Sequence, residues 1–334
     1  MRILVPALVC LLVGCPGGGI LGGDGTPEPT PEPTPEPTPD PPDECEGIQN
    51  VAGTDVVLDE LCLLGRCVAV SGSLTVEAGA PDLTCVASVL GDFLITGYEG
   101  DTLELPALEA VGGRLLIERN GLEEITAPPQ LASVDGTFII NETNATLVGR
   151  FDALRTVGDT ELNLLGGTVR APLLETAGSL TILGSDISTV DLPSLHTVGL
   201  LSIAWSYELR TLGDIGALRN VDEIQLQALY VLESLGGLVV PADVPGRIGI
   251  TEHPELRDLS ALSTLRRAGT LLLRNNEEID DVTPLHDVEA LTGDLIIEDN
   301  PSLGNEAAYA LRDAIGEANI GGSITIENND PEDD

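Results

Sequence analysis

The stretch VGGRLLIERNGLEEI, Val111 to Ile125, joins a glycine pair, an alternating strand carrying Leu115 and Ile117, and Asn120 three residues after Ile117. Nearly the same phrase returns as LTGDLIIEDNPSL, Leu291 to Leu303, and as IGGSITIENND, Ile320 to Asp330. Aligning the chain on the last apolar residue of each such strand gives the anchors Val76, Ile95, Ile117, Ile140, Leu162 or Leu164, Ile182, Ile203, Leu226, Ile250, Leu273, Ile297 and Ile326. From Val76 to Ile326 is 250 residues in 11 steps, a mean near 22.7. A period of that length belongs to solenoids. Upstream of the strands a second phrase recurs, as LPALEAVGG (Leu105 to Gly113), APLLETAG (Ala171 to Gly178) and LPSLHTVG (Leu192 to Gly199).

Alternate residues of a strand point to one face, so pairs such as Leu271 and Leu273 need a common cover. A single coil cannot bury that face, but stacked coils can, as a parallel sheet with strands about 4.8 Å apart. The glycines before each strand allow a tight corner there. Asn120, Asn276, Asn300 and Asn329, with His253 in the same place, predict internal side chains that satisfy turn backbone groups and one another. Their role is structural and implies no ligand. The expected fold is therefore a repeat solenoid, β-helix or leucine-rich-repeat-like. It has a parallel β-sheet of about 12 coils and is mostly β. A short C-terminal helix is expected in NEAAYALRDAIGEA (Asn305 to Ala318), capped by Asn305 and facing inward through Ala308, Leu311 and Ile315.

The chain has 334 residues, 55 acidic and 15 basic, for a formal charge of −40, and every basic residue is arginine. That charge repels a phosphate backbone, so nucleic acid is not expected as a partner. Aromatic residues make up 2% of the chain, which argues against a stacking platform for bases or sugars. No His-Glu-x-x-His, Gly-x-Ser-x-Gly or P-loop pattern occurs, and His196, His253 and His286 fall in different phases of the repeat. The acidic run NNEEIDD, Asn275 to Asp281, reads as a solvated face. No catalytic residue, metal ligand or cofactor is assigned.

Residues 1–14 read as a secretory signal peptide, with Arg2 followed by an apolar run too short to span a bilayer. Its end, Leu12-Val13-Gly14-Cys15, resembles the bacterial lipobox, which implies cleavage before Cys15 and lipidation of that residue. Residues 15–44 then form a stalk. Its glycines are flexible, and its Thr-Pro-Glu-Pro repeat predicts a polyproline II rod of roughly 50 Å from Thr26 to Pro42. The solenoid covers 45–330, and 331–334 is an acidic tail. VVPADVPG, Val239 to Gly246, interrupts the repeat and marks where a kink or a join between two sub-solenoids would lie. Cys45, Cys62, Cys67 and Cys85 cluster in the first coils of an exported chain, where disulfides are expected. Among three possible connectivities, their phases relative to Leu58, Val76 and Ile95 favour Cys45–Cys62 and Cys67–Cys85.

The Gly-Gly-x-Leu-x-Ile-x-x-Asn phrase, repeated from roughly Cys45 to Asn329, resembles the receptor L domain, a relative of leucine-rich repeats. That family is known from ligand-binding receptor ectodomains, fungal wall proteins and bacterial lipoproteins. The resemblance implies a right-handed β-helix-like solenoid. The coils around Leu164, Ile182, Ile203 and Leu226 depart from it in lacking the Asn. No furin-like Cys-rich region or kinase accompanies it, so a signalling receptor is not implied. The functional expectation is a non-catalytic, lipid-anchored protein of the cell envelope, on the outer membrane or cell surface, that binds a protein or glycan or mediates adhesion. The alternatives are a structural envelope component without a selective ligand and, more distantly, a β-helix enzyme acting on polysaccharides. The expected partner face is the outward side of the strands near Leu116 and Ile139, with Trp205 at its margin. A second buried layer covering those residues is the competing expectation.

Overall fold

A computed structural model describes residues 48–51, Cys62, 67–216 and 218–330. The repeat phrase closes into a parallel β-solenoid. All twelve anchors stand in one unbroken ladder. Val76 is in register with Ile95, then Ile117, Ile140, Leu162 and Ile182. The ladder continues through Ile203, Leu226, Ile250, Leu273, Ile297 and Ile326. Leu162, rather than Leu164, is the fifth rung. The solenoid makes about ten turns, slightly fewer than the twelve coils expected. The last of the eleven steps between rungs is occupied by the helix Asn305–Ile315 instead of a regular turn.

A second ladder runs through the upstream phrase, from Val51 to Val70, Val89, Val111, Val134, Val157, Ala177, Val198 and Val221. Inside, the two ladders pack against stacked leucines such as Leu108, Leu131 and Leu154, all buried. Each buried aliphatic side chain contributes about 1.5–3 kcal/mol, which is how stacking turns a weak single coil into a stable array.

The upstream glycines serve a purpose other than a left-handed corner. A Cβ on Gly158 would lie 2.2 Å from the carbonyl oxygen of Gly136, and one on Gly136 would lie 2.7 Å from that of Gly113. These glycines form a column where successive coils approach too closely for any side chain. The left-handed corner sits instead two residues after the anchor, at Arg119, Trp205, Ala228, Glu252, Asn275, Asp299 and Asn328, with φ of 52–66°. Non-glycine residues accept that conformation at about 1 kcal/mol or more each, so the neighbouring contacts must hold them there. In the coils of Ile140 and Leu162 the corner is absent, and the strands Phe138–Val148 and Thr160–Arg170 run through it with a register shift.

Residue 253 and the Asn residues one place beyond the corner form a buried ladder. Asn276 accepts from the backbone N–H of His253 at 3.2 Å and donates to the carbonyls of Ile250 at 3.0 Å and Asn300 Oδ1 at 3.0 Å. Asn300 repeats the pattern with Leu273 and Asn329. Asn329 donates to Ile297 and to Asn305 Oδ1. The first Asn, Asn120, meets a different acceptor: the carboxylate of buried Glu142 takes its backbone N–H at 2.7 Å and its amide at 2.9 Å. Among the described residues no buried side-chain nitrogen or oxygen lacks a partner.

Two details of the ends differ from expectation. The helix is preceded by Gly304 at φ 79°, and Asn305 is its first residue rather than its cap. The carboxylate of Asp330 accepts the Asn305 backbone N–H at 2.9 Å, doing from the last strand what a local cap would do. At the other end Cys62 is bonded to Cys85, with Cα atoms 5.4 Å apart, so neither Cys45–Cys62 nor Cys67–Cys85 forms. Cys67 is also disulfide-bonded. Strand register does place Cys67 beside Cys85, since Val68 pairs with Val86. Cys62, however, lies in a turn that strand register does not constrain, and it is the residue bonded to Cys85. Cys45 lies outside the described residues. At the interrupted phrase, strand Asp243–Thr251 pairs on both sides, and the irregularity is a register shift between Val244 and Arg247.

Candidate functional site

The middle letter of each Leu-x-Ile strand points away from the core. In register along the solenoid these residues are Thr75, Leu94, Leu116, Ile139, Glu161, Thr181, Ser202, Gln225, Gly249, Leu272, Ile296 and Thr325. Leu94, Leu116 and Ile139 are half-buried against one another, while the residues on either side of each in sequence are fully buried. They form a short, half-buried apolar stripe on the outward side of the strands, and a shorter one follows at Leu272 and Ile296.

Trp205 lies three rungs from Ile139 and at the margin of the sheet. It is 47% exposed and occupies a left-handed corner at φ 66°. The corner is pinned from inside by Ser206, whose hydroxyl donates to the Ile187 carbonyl at 2.7 Å and accepts the N–H groups of Glu208 and Leu209, both at 3.1 Å. Tyr207 follows, 57% exposed, and stacks on Tyr230 of the next coil with ring centroids 4.4 Å apart and an interplanar angle of 11°. Three of the chain's few aromatic rings are thus held on one corner of two adjacent coils. Sequence pattern alone shows Trp205 and Tyr207 together but not Tyr230, which joins them only through coil stacking.

The ionisable groups are arranged as supports. His253 is buried, and loss of hydration lowers its pKa from 6.5 to about 4, so the ring is neutral near pH 7. Its Nε2 lies 3.0 Å from the Leu226 carbonyl, and its Nδ1 accepts the Leu229 N–H at 3.3 Å. Hydrogen bonds from the backbone N–H and hydroxyl of Thr283 lower the pKa of Asp281, and the equivalent groups of Ser323 lower that of Asp294. Asp281 thus caps a local turn, and Asp294 ties its coil to the next. Arginines near the strands are tied to neighbours: Arg114 to Asp92 at 3.5 Å, Arg119 to Glu118 at 3.4 Å and Arg274 to Glu298 at 2.7 Å. Among the described residues no three His, Cys, Asp or Glu side chains are grouped to hold a metal ion. Nor does any described helix have the length and apolarity to cross a membrane.

Cys15 lies outside the described residues. Comparison with protein-family models and with curated proteins finds no match.

Proposed function

We propose that this chain is a cell-envelope lipoprotein, held to the membrane by an acylated Cys15 and a proline-rich stalk. Its receptor-L-domain-like solenoid binds a protein or glycan partner without catalysing a reaction. The observation that carries this reading is the outward-facing, half-buried apolar stripe of Leu94, Leu116 and Ile139 on a parallel sheet, in a strongly acidic chain. Contiguous outward apolar side chains are a common mark of an interaction face. The lipobox-like LVGC and the stalk favour presentation away from a membrane, with the outer membrane or cell surface as the expected place.

The anchor is tested by Cys15→Ser. The substituted protein should lose its acyl label and leave the membrane fraction, and unchanged membrane partition would refute the anchor. The face is tested by combining Leu116→Glu with Ile139→Glu. Loss of retention on intact envelopes with an unchanged thermal melt supports docking there, and undiminished retention refutes it.

A further inference from the structure

One glycine is unlike the others. In the outward column every rung carries a side chain except the one at Gly249. Its φ is not in the left-handed region, and a Cβ built there would meet only the Arg247 side chain, at 3.5 Å, and the Ile224 carbonyl, at 4.0 Å. Those are ordinary contacts. Neither backbone conformation nor coil spacing demands glycine here, in contrast to the column at Gly136 and Gly158. Glycine inside a strand costs about 0.5–1 kcal/mol relative to a residue with a side chain, and it commonly marks a place where a ligand approaches the backbone.

Gly249 is buried beneath the Arg247 side chain and forms part of the floor of a cavity of about 220 Å³. Three strands frame it, with Gln225 and Gln227 on one side, Arg247 and Thr251 flanking Gly249 on its own strand, and Leu272 and Arg274 on the other. The chemistry of this wall is mixed. Two amides, a hydroxyl and two guanidinium groups line it; Gln225 already donates one amide hydrogen to Glu223 at 2.6 Å, as Gln227 does to Glu252, which leaves each a second hydrogen and its carbonyl oxygen, and Leu272 offers one apolar surface. The charges offset each other: Arg274 is held by Glu298, and Glu252, which accepts from Gln227 at 3.2 Å, stands beside the cavity. A cation would face two arginines, and an anion would face Glu252 and the carboxylate already on Arg274. A neutral ring carrying many hydroxyl groups suits both sets of partners and can lay a C–H face on Leu272. The space falls below the roughly 300–1,000 Å³ of sites for larger ligands, which sets the occupant at a single ring. Because the cavity opens on the outer face of the sheet, that ring can belong to a chain continuing on both sides.

We propose that the Gly249 notch is a binding subsite for one neutral sugar unit of a glycan. This goes beyond the apolar docking stripe, which lies on other coils, and does not depend on it.

The test is titration of the purified full chain, followed by intrinsic fluorescence and calorimetry, against a panel of neutral tetrasaccharides: glucans, mannans, galactans and N-acetylglucosamine oligomers. The matching monosaccharides and the acidic oligomer tetragalacturonate complete the panel. At least one neutral oligomer should bind saturably, with its monosaccharide weaker. Gly249→Leu fills the notch from a position where the backbone has room, so it should keep the thermal melt and weaken binding by roughly tenfold or more. Gln227→Ala should weaken it by a smaller factor. Leu116→Glu, on the distant stripe, should leave sugar binding unchanged while affecting envelope retention, so the two readings stand or fall separately. The proposal is overturned if no neutral oligomer binds at millimolar concentration, if tetragalacturonate is preferred, or if Gly249→Leu binds like the parent.

Discussion

Acidification should weaken this protein through His253, and the size of the effect follows from its surroundings. The imidazole is neutral in the fold, with a pKa lowered by burial to about 4, against 6.5 for a solvated histidine. An unfolded chain therefore takes up a proton near pH 6.5, and the folded chain resists doing so until about pH 4. More protons are bound by the unfolded state throughout that window, so stability is full above it, falls as pH drops through it, and changes no further below. The whole shift corresponds to about 3 kcal/mol, most of which is lost by pH 4.5. The perturbation that isolates this effect is His253→Asn. Asparagine already holds the equivalent place at Asn276, Asn300 and Asn329, donating to the anchor carbonyl of the preceding coil. At neutral pH the substitution should lower stability by about 1–2 kcal/mol, reflecting the smaller side chain. Urea denaturation of parent and variant from neutral pH down to about 4.5 gives the difference. The carboxylates are common to both proteins and cancel, so the variant should lose about 2–3 kcal/mol less than the parent over that range. Parallel losses in the two proteins would refute a neutral buried His253.

Three further outcomes are expected. Asn300→Ala removes the acceptor of both the Asn276 backbone N–H and its amide and leaves the Leu273 carbonyl bare, so urea denaturation should show a loss of about 2–4 kcal/mol. Gly158→Ala forces a Cβ to within 2.2 Å of the Gly136 carbonyl oxygen and should destabilise by about 2 kcal/mol or more, whereas Gly249→Ala should be neutral or stabilising by up to about 1 kcal/mol; equal effects in thermal melts would refute the distinction between the two glycines. Peptide mapping without reductant should recover Cys62 joined to Cys85, and reduction should remove about 3 kcal/mol from the first coils; recovery of Cys67 joined to Cys85 would refute the pairing.

The architecture was legible because a solenoid repeats its reason. Every anchor picked by the Leu-x-Ile pattern entered the same ladder, since burying alternate residues in stacked coils leaves one register. The buried role of Asn276, Asn300, Asn329 and His253 was legible for the same cause. What pattern could not show depends on reach across coils. Cys62 stands in a turn, where strand phase fixes neither position nor direction. Glu142 substitutes for an asparagine from two residues past its anchor instead of three, because its strand runs straight through the corner. Arg119, Trp205 and Ala228 have no common chemistry to announce their left-handed backbone. Gly249 stands at the middle letter of its strand rather than before it, but the room around a side chain there emerges only from the structure. The outward direction of Leu116 and Ile139 was legible, while the stacking of Tyr207 on Tyr230 was not.

The amide ladder has a polarity with a consequence for how the chain is made. Asn276 hands both its backbone and side-chain hydrogens forward to Asn300, Asn300 hands its own to Asn329, and Asn329 ends on Asn305. Each of these late coils thus relies on the one synthesised after it. A chain emerging from its amino end can stack leucines as they arrive, but the newest asparagine always waits for an acceptor still to come. Vectorial folding would leave a reactive growing tip, able to accept a foreign strand, until the final asparagine and the helix close it.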